Sequence, residues 1–218
     1  MPRMRLAARL ALFCLLLACL CGPLWAGTLA ELKGRFEQEK DKDFITQYAI
    51  LGLRHAARAG VSIPVRVWKS ALEHWLATQN DDGGWGYVPQ SKKDVSSSSM
   101  TAAGLSSLLI CLENRELDAA ERTPAEAALD RGFTALGTLM KLDKDSLYTL
   151  YGIERASVLG RRSSLAGKPW YAPGGLRILD EQGADGLWTG PYARPVDAAF
   201  AILFLKKATT PIAPVVTR

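Results

Sequence analysis

The chain has few of the residues that build metal centres and disulfides. It contains two histidines and four cysteines in 218 residues, and three of the cysteines lie within the first 21 positions. If that N-terminal segment is removed, Cys111 is left without a disulfide partner. His55 and His74 have no Cys or carboxylate at ligand spacing, which argues against a zinc site. We therefore expect no metal and no cofactor, and we interpret Cys111 as a small buried core residue.

Strand patterns are also scarce. Alternation of apolar and polar residues never persists along the chain, whereas helical periodicity recurs, so the sequence predicts an all-α fold. The net charge is +5, but the basic residues are scattered and do not alternate with aromatic residues. We therefore expect no nucleic-acid partner.

The N-terminus has the features of an export signal. Three arginines, an apolar run and a Gly-Pro break follow one another within the first 23 residues, and Ala26 offers a small residue for cleavage. This order predicts a signal peptide over residues 1–26 and an exported protein, periplasmic or secreted. Two alternatives stay open. The sequence LLAC favours a lipoprotein anchored at Cys19, and an uncleaved signal would also anchor the chain in a membrane.

Two kinds of helical segment alternate in the rest of the chain. The amphipathic segments are 64–79, 123–140 and 170–182, and the almost wholly apolar segments are 45–53, 101–112, 146–159 and 197–205. A helix that is apolar on every side must be covered on every side, so we expect seven or eight helices in inner and outer layers. Thr123, Pro124 and Glu126 predict a capped helix start. We expect one repeat domain over 27–208.

The polar segment 90–99 is predicted to be a mobile loop or lid, because it consists mainly of Ser, Lys and Asp. The Pro-containing end, 209–218, is predicted to be a disordered tail.

A Gln-to-Trp element occurs twice. The first copy reads QNDDGGW and the second reads QGADGLW, and each precedes an apolar helix. Recurrence of this kind is typical of repeat architectures. Gln can satisfy unpaired groups at helix ends, and Trp buries a large apolar area. We therefore predict a structural role for Gln79, Gly84, Trp85, Gln182, Gly186 and Trp188.

The two elements resemble the QW repeat of the squalene cyclase and prenyltransferase superfamily. Further blocks resemble those of small bacterial prenyltransferase and squalene oxidase repeat proteins: TQYAILGL, SMTAAGLSSL, YGIERASVLG, WYAPGG and DAAFAILFLKKA. The resemblance covers about residues 43–208. It implies an α/α toroid, or an arc of one, with inner and outer helices.

The motifs that carry chemistry in this superfamily are missing from the chain. Triterpene cyclases have an acidic DxDD-type motif, which neither NDDGG nor DKDF matches. Protein prenyltransferases have zinc ligands, and Asp197 has no Cys two residues on and no later His. We therefore expect a non-catalytic exported protein that binds an apolar ligand or a protein partner. The alternatives are a divergent terpenoid cyclase or prenyl-group enzyme that uses an inner-helix carboxylate, and a toroid enzyme acting on polysaccharides.

Polar residues on the apolar helices define a candidate ligand site, because a buried polar group without a partner is costly. They either pair with one another and hold the repeats in register, or they rim an apolar cavity with Trp170 as an aromatic wall. The candidate residues are Asp43, Gln47, Thr101, Tyr148, Tyr151, Glu154, Arg155, Trp170 and Asp197. We expect Glu154 to pair with Arg155, or either residue to reach Asp197. A short arc would leave apolar surface at its ends, which predicts a homodimer or a protein partner.

Overall fold

Helices make up nearly all the regular structure of residues 43–88 and 95–209, which are the residues described in a computed structural model of the chain. They are α1 (Asp43–Arg58), α2 (Val65–Ala77), α3 (Ser98–Glu113), α4 (Ala119–Leu139), α5 (Leu147–Leu159), α6 (Tyr171–Asp180) and α7 (Arg194–Leu205). The strands within this part are β1 (Ser164–Leu165) and β2 (Lys168–Pro169), which pair antiparallel. The all-α prediction is confirmed.

Several sequence predictions concern residues outside the described part. These are the signal peptide at 1–26 with the alternative lipid site at Cys19, the first half of the polar loop (90–94), and the tail beyond Thr209. The backbone of Asp43 begins α1, but its side chain also lies outside the description. Among the helices that the structure describes, none combines the length and apolar character needed to cross a bilayer.

The odd-numbered helices pack in a row. Helix α1 packs on α3, α3 on α5, and α5 on α7. Helices α2 and α4 pack against α3, while α6 packs against both α5 and α7. Most residues of α3 and α5 are buried, because these helices have neighbours on both sides in the row and contact further helices as well. Full coverage explains how the two sequences can be apolar around their whole circumference.

The expectation of full coverage fails at the two ends of the row, where the prediction of a short arc itself implies exposed apolar surface. Tyr48 on α1 is 41% exposed, and Ile202 on α7 is 48% exposed. Within the described residues, α1 has α3 and α7 has α5 as its neighbour in the row. One face of each end helix is therefore left open.

The predicted start of α4 is also wrong. The helix begins at Ala119, and the side chain of Asp118 accepts the backbone N–H of Glu121 at 2.9 Å. Asp118 and Glu121 have the same three-residue spacing as the expected capping box, but they lie five residues earlier. Thr123 lies inside the helix and donates its hydroxyl to the carbonyl of Ala119 at 3.1 Å. Pro124 is accommodated in the helix after its first turn.

Helix α6 contains a proline and two glycines, Pro173, Gly174 and Gly175, near its start. It begins at Tyr171, so Pro173 falls in the first turn, where a missing N–H costs no helical hydrogen bond. The ring of Phe204 lies against Gly174, where a β-carbon would be 2.7 Å from the ring. The small residue therefore allows α6 and α7 to pack closely.

Candidate functional site

The two Gln-to-Trp elements fold into the same turn. The Gln79 amide donates to the carbonyl of Gly83 at 2.8 Å, and the Gln182 amide donates to that of Gly186 at 2.9 Å. Gly83 and Gly186 both have positive φ, 83° and 77°, a conformation that strongly favours glycine. In each copy the Gln closes the turn that follows its own helix.

The two tryptophans also occupy equivalent positions. The Trp85 indole donates to the carbonyl of Trp75 at 2.9 Å, and the Trp188 indole donates to that of Ile178 at 2.6 Å. In each case the acceptor lies ten residues earlier, in the helix before the turn. The Trp85 ring packs directly over Gly104 of α3, where a β-carbon would lie 2.5 Å from the ring. Each Trp thus closes back on the helix before its turn, and Trp85 also connects that helix to α3.

Thr101 and Asp197, two predicted ligand residues, anchor the loops that follow these turns. The Trp85 backbone N–H donates to the Thr101 hydroxyl at 3.2 Å. One carboxylate oxygen of Asp197, Oδ2, accepts the backbone N–H groups of Gly190 at 3.0 Å and Tyr192 at 3.3 Å. The other oxygen, Oδ1, is buried and has no hydrogen-bond partner among the residues that the structure describes.

The first element has contacts that the second lacks among the described residues. The Gln79 amide also donates to the carbonyl of Ala128 at 2.9 Å, and the guanidinium of Arg131 donates to the Gln79 side-chain oxygen. Both partners belong to α4. Gln182 is exposed, and its hydrogen bond stays within its own turn. The first copy therefore joins its turn to α4, while the described bond of the second stays within a single loop.

Glu154 and Arg155 are both buried, but they do not form the expected ion pair. Glu154 accepts the hydroxyl of Thr209 at 2.7 Å and its backbone N–H at 3.3 Å. Burial raises the pKa of the Glu154 carboxyl, and the two bonds from Thr209 oppose that shift. Arg155, the next residue on α5, bonds to another helix. The two side chains therefore serve different contacts, and no described contact joins either one to Asp197.

Four of the predicted residues do come together, between α1 and α5. Gln47 donates to the Tyr148 hydroxyl at 2.8 Å and accepts from the Arg155 guanidinium at 3.0 Å. The Arg155 guanidinium carbon lies 4.9 Å from the centre of the Tyr151 ring, in cation–π geometry. Tyr148, Tyr151 and Arg155 project from one side of α5, because they are spaced by three and four residues. We call these four residues the Gln47–Arg155 network.

Aromatic rings surround this network. Phe200 lies 5.5 Å from Tyr148 and is stacked on Tyr151 at 5.9 Å, both measured between ring centres. Tyr192 packs edge-on against Tyr148 at 6.1 Å, and Tyr48 hydrogen bonds to Tyr148. We call these five rings the aromatic face. Exposure falls from Tyr48 and Tyr192 at the rim to the buried Tyr148 at the base.

The base of the face is poorly hydrated. Burial raises the pKa of the Tyr148 hydroxyl well above its ordinary value. The nearby hydroxyls of Tyr48 and Tyr87 raise it further, and the hydrogen bond from Gln47 opposes these effects. Burial also raises the pKa of Tyr192, and the nearby groups of Tyr87, Tyr48 and Asp197 raise it further. These phenols are therefore neutral hydrogen-bonding groups at neutral pH.

Trp170 lies in a different cluster. It is buried against Tyr171 and Phe204, and its indole donates to the carbonyl of Arg162 at 2.8 Å. Lys207 lies over the neighbouring Tyr171 ring, 3.9 Å from its centre. These contacts put Trp170 in the core between α6 and α7, with no described ring contact to the aromatic face.

Sequence reasoning missed three members of the aromatic face. Tyr192 lies in a loop before α7, and Tyr48 and Phe200 were not distinguished from other residues of apolar helices. A local signal was available for Phe200, which follows Asp197 on the same helix by three residues. No local signal joins Tyr48 to Tyr148, because their contact depends on how α1 meets α5.

Neither a metal-binding cluster nor an accessible cysteine thiol occurs among the described residues. They contain no group of three or more metal-binding side chains. Cys111 is fully buried, and burial raises the pKa of its thiol to about 12, so the nucleophilic thiolate is disfavoured. Comparison of the chain with protein families, curated proteins and solved structures gives no match.

Proposed function

We propose that this chain is an exported α/α-repeat protein, an arc related to the squalene cyclase and prenyltransferase toroids, that binds an apolar ligand without transforming it. The observation that carries the proposal is the aromatic face over the Gln47–Arg155 network. Apolar rings with a few convergent polar groups are the usual composition of small-molecule sites. Tyr48 and Tyr192 leave part of this surface accessible, 41% and 48% exposed.

The repeat interpretation is supported by the pairing of the two Gln-to-Trp turns. The same donors and acceptors recur at Gln79 and Gln182, and again at Trp85 and Trp188. The row of odd-numbered helices with even-numbered helices behind it suits an arc with inner and outer layers. Ring closure is not needed for the proposed binding.

A divergent cyclase or prenyl-group enzyme is the second candidate. The observation that favours it is the unpartnered Oδ1 of the buried Asp197, which lies beside Tyr192 at the edge of the aromatic face. The other oxygen accepts from Gly190 and Tyr192 and so anchors a loop, which explains the residue without catalysis, and we therefore rank binding above catalysis.

A protein partner or a second copy of the chain is supported by exposed apolar residues on the last two helices. Leu176 and Leu179 on α6, and Val196 and Ile202 on α7, are each more than 40% exposed. Exposed apolar area of this kind marks interaction surfaces more often than free surface. Light scattering of the purified protein would distinguish a dimer from a monomer.

Native mass spectrometry of the full chain, purified gently from its own cells, tests the binding proposal. We expect a small apolar molecule at about one copy per chain, and we expect Tyr192→Ala and Tyr48→Ala to lower its occupancy. Leu176→Ala is the matched control, because Leu176 is also exposed but lies on α6, with no described contact to the aromatic face. An empty protein, or equal loss in the control, would contradict the proposal. Release of a transformed product from isoprenoid substrates, abolished by Asp197→Asn, would favour the enzyme instead.

A further inference from the structure

Arg155 is a buried cation without a described anionic partner. It is 3% exposed, its Nη2 donates to the neutral Gln47, and its Nε is buried with no hydrogen-bond acceptor. Among the side chains that the structure describes, no carboxylate lies within ion-pair distance of it. The adjacent Glu154 directs its oxygens to Thr209. The charge of Arg155 favours the ionised form of that carboxyl, but burial is the larger effect and raises its pKa.

The other buried arginine shows how this protein compensates such a charge. Arg54 is 2% exposed, and its Nε and Nη2 donate to the two carboxylate oxygens of Glu113 at 2.5 and 3.3 Å. A guanidinium presents paired donors that match a carboxylate or phosphate in this way. Leaving a buried charge without a counter-charge is strongly unfavourable. Arg155 has the burial of Arg54, but among the side chains that the structure describes it has no carboxylate at ion-pair distance.

Arg155 lies beneath the proposed ligand surface, where a bound ligand can supply a negative charge. Its guanidinium lies over Tyr151 and contacts Gln47, which in turn bonds Tyr148, so it lies at the base of the aromatic face. We infer that the ligand of this face is an amphiphile with an anionic head group, a carboxylate or a phosphate, that replaces Gln47 as the acceptor for Arg155 while its apolar body packs on the rings. This inference rests on the proposed ligand binding and adds the charge of the ligand.

Three probes with the same alkyl chain test the inference: dodecanoate, dodecyl phosphate and dodecanol. Binding of each to the delipidated full chain is measured by isothermal titration calorimetry below its critical micelle concentration. We expect at least one anionic probe to bind about tenfold to a hundredfold more tightly than the alcohol, since a charge-assisted hydrogen bond contributes that much affinity. Which of the two anions binds more tightly identifies the head group.

Two variants remove the anion site in different ways. Arg155→Gln removes the cation, while Gln47→Glu keeps the size of the side chain and supplies an internal carboxylate 3.0 Å from the guanidinium. Both should abolish the preference for anionic probes, so that neither anion binds more tightly than dodecanol to the same variant. Gln47→Glu should also raise the melting temperature, because it neutralises the buried charge, so the test does not depend on a destabilised protein. Arg155→Lys should keep part of the preference.

Arg122→Gln is the matched control, because it removes one exposed positive charge from α4 and should leave the preference intact. Equal binding of all three probes to the wild type would overturn the anionic head group and leave apolar binding standing. An anion preference that survives both Arg155→Gln and Gln47→Glu would also overturn it. Failure of all three probes to bind would overturn the proposed function and this inference together.

Discussion

Thr101 and Asp197 occupy the same position, the fourth residue, in the helices that follow the two Gln-to-Trp turns. Each accepts a backbone N–H from the loop that leads into its helix, from Trp85 in one case and from Gly190 and Tyr192 in the other. Anchoring a loop requires an acceptor at this position and nothing more. A polar residue on an apolar helix is therefore explained here without catalysis.

Asp197→Ala should destabilise the protein by about 2–4 kcal/mol, because the N–H groups of Gly190 and Tyr192 lose their acceptor in a buried site. Asp197→Asn keeps an acceptor oxygen and should cost about 1 kcal/mol. Urea unfolding monitored by circular dichroism measures the free energy of unfolding of both variants. Equal destabilisation by the two substitutions would show that the charge of Asp197, rather than its acceptor, holds the loop.

Gly104→Ala should destabilise the protein by about 1–3 kcal/mol, because the new methyl group would overlap the Trp85 ring in a packed core. Gly52→Ala is the matched helical control. No atom of another element lies within 4 Å of the place its new methyl group would occupy, and the gain in helix propensity should stabilise by up to about 1 kcal/mol. Thermal melts should move in opposite directions. If both substitutions lowered the melting temperature by a similar amount, Trp85 would not pack over α3 as described.

Gln79→Ala should cost more stability than Gln182→Ala, although the residues are equivalent in sequence. The first substitution removes the side-chain amide that donates to the carbonyls of Gly83 and Ala128 in a partly buried site. The free energy of unfolding should therefore fall by about 1–3 kcal/mol. The second substitution removes one exposed hydrogen bond, to Gly186, and the free energy of unfolding should fall by about 1 kcal/mol or less. Chemical denaturation of the two variants provides the comparison. A reversed order would contradict the link between the first turn and α4.

Glu154 should make stability fall as pH rises. Burial raises its pKa in the folded protein above the ordinary value of 4.5, so its stabilising contribution is complete below 4.5 and is lost as pH rises through the folded pKa. The stability of Glu154→Gln relative to the wild type should therefore increase between pH 4.5 and neutral pH. Urea unfolding across this range measures the difference. A difference that is independent of pH would mean that the folded pKa is not raised. Glu181→Gln, at the exposed end of α6, is the control.

The sequence predicted the helices well where the pattern depends on local rules. Periodic burial and turn residues are local, so the seven helices and both Gln-to-Trp turns could be located in advance. The start of α4 was missed because two capping signatures lie close together, and the choice of Asp118 over Thr123 depends on where the preceding chain ends. The predicted pairing of Glu154 with Arg155 failed for a related reason. Adjacent residues on a helix point about 100° apart, so each meets a different neighbour.

Short stretches of sequence were enough to predict that α3 and α5 are buried, because the hydrophobic period is a property of a short segment. They were also enough to predict which residues close the turns, because glycine conformation is a local property as well. The packing of whole helices was needed to bring Gln47 of α1 between Tyr148 and Arg155 of α5, and to join Tyr48, Tyr192 and Phe200 with them in one aromatic face. The bonds from Gln47 connect positions 101 and 108 residues apart. Their formation depends on the order in which the helices pack, and no short segment of the chain contains that information.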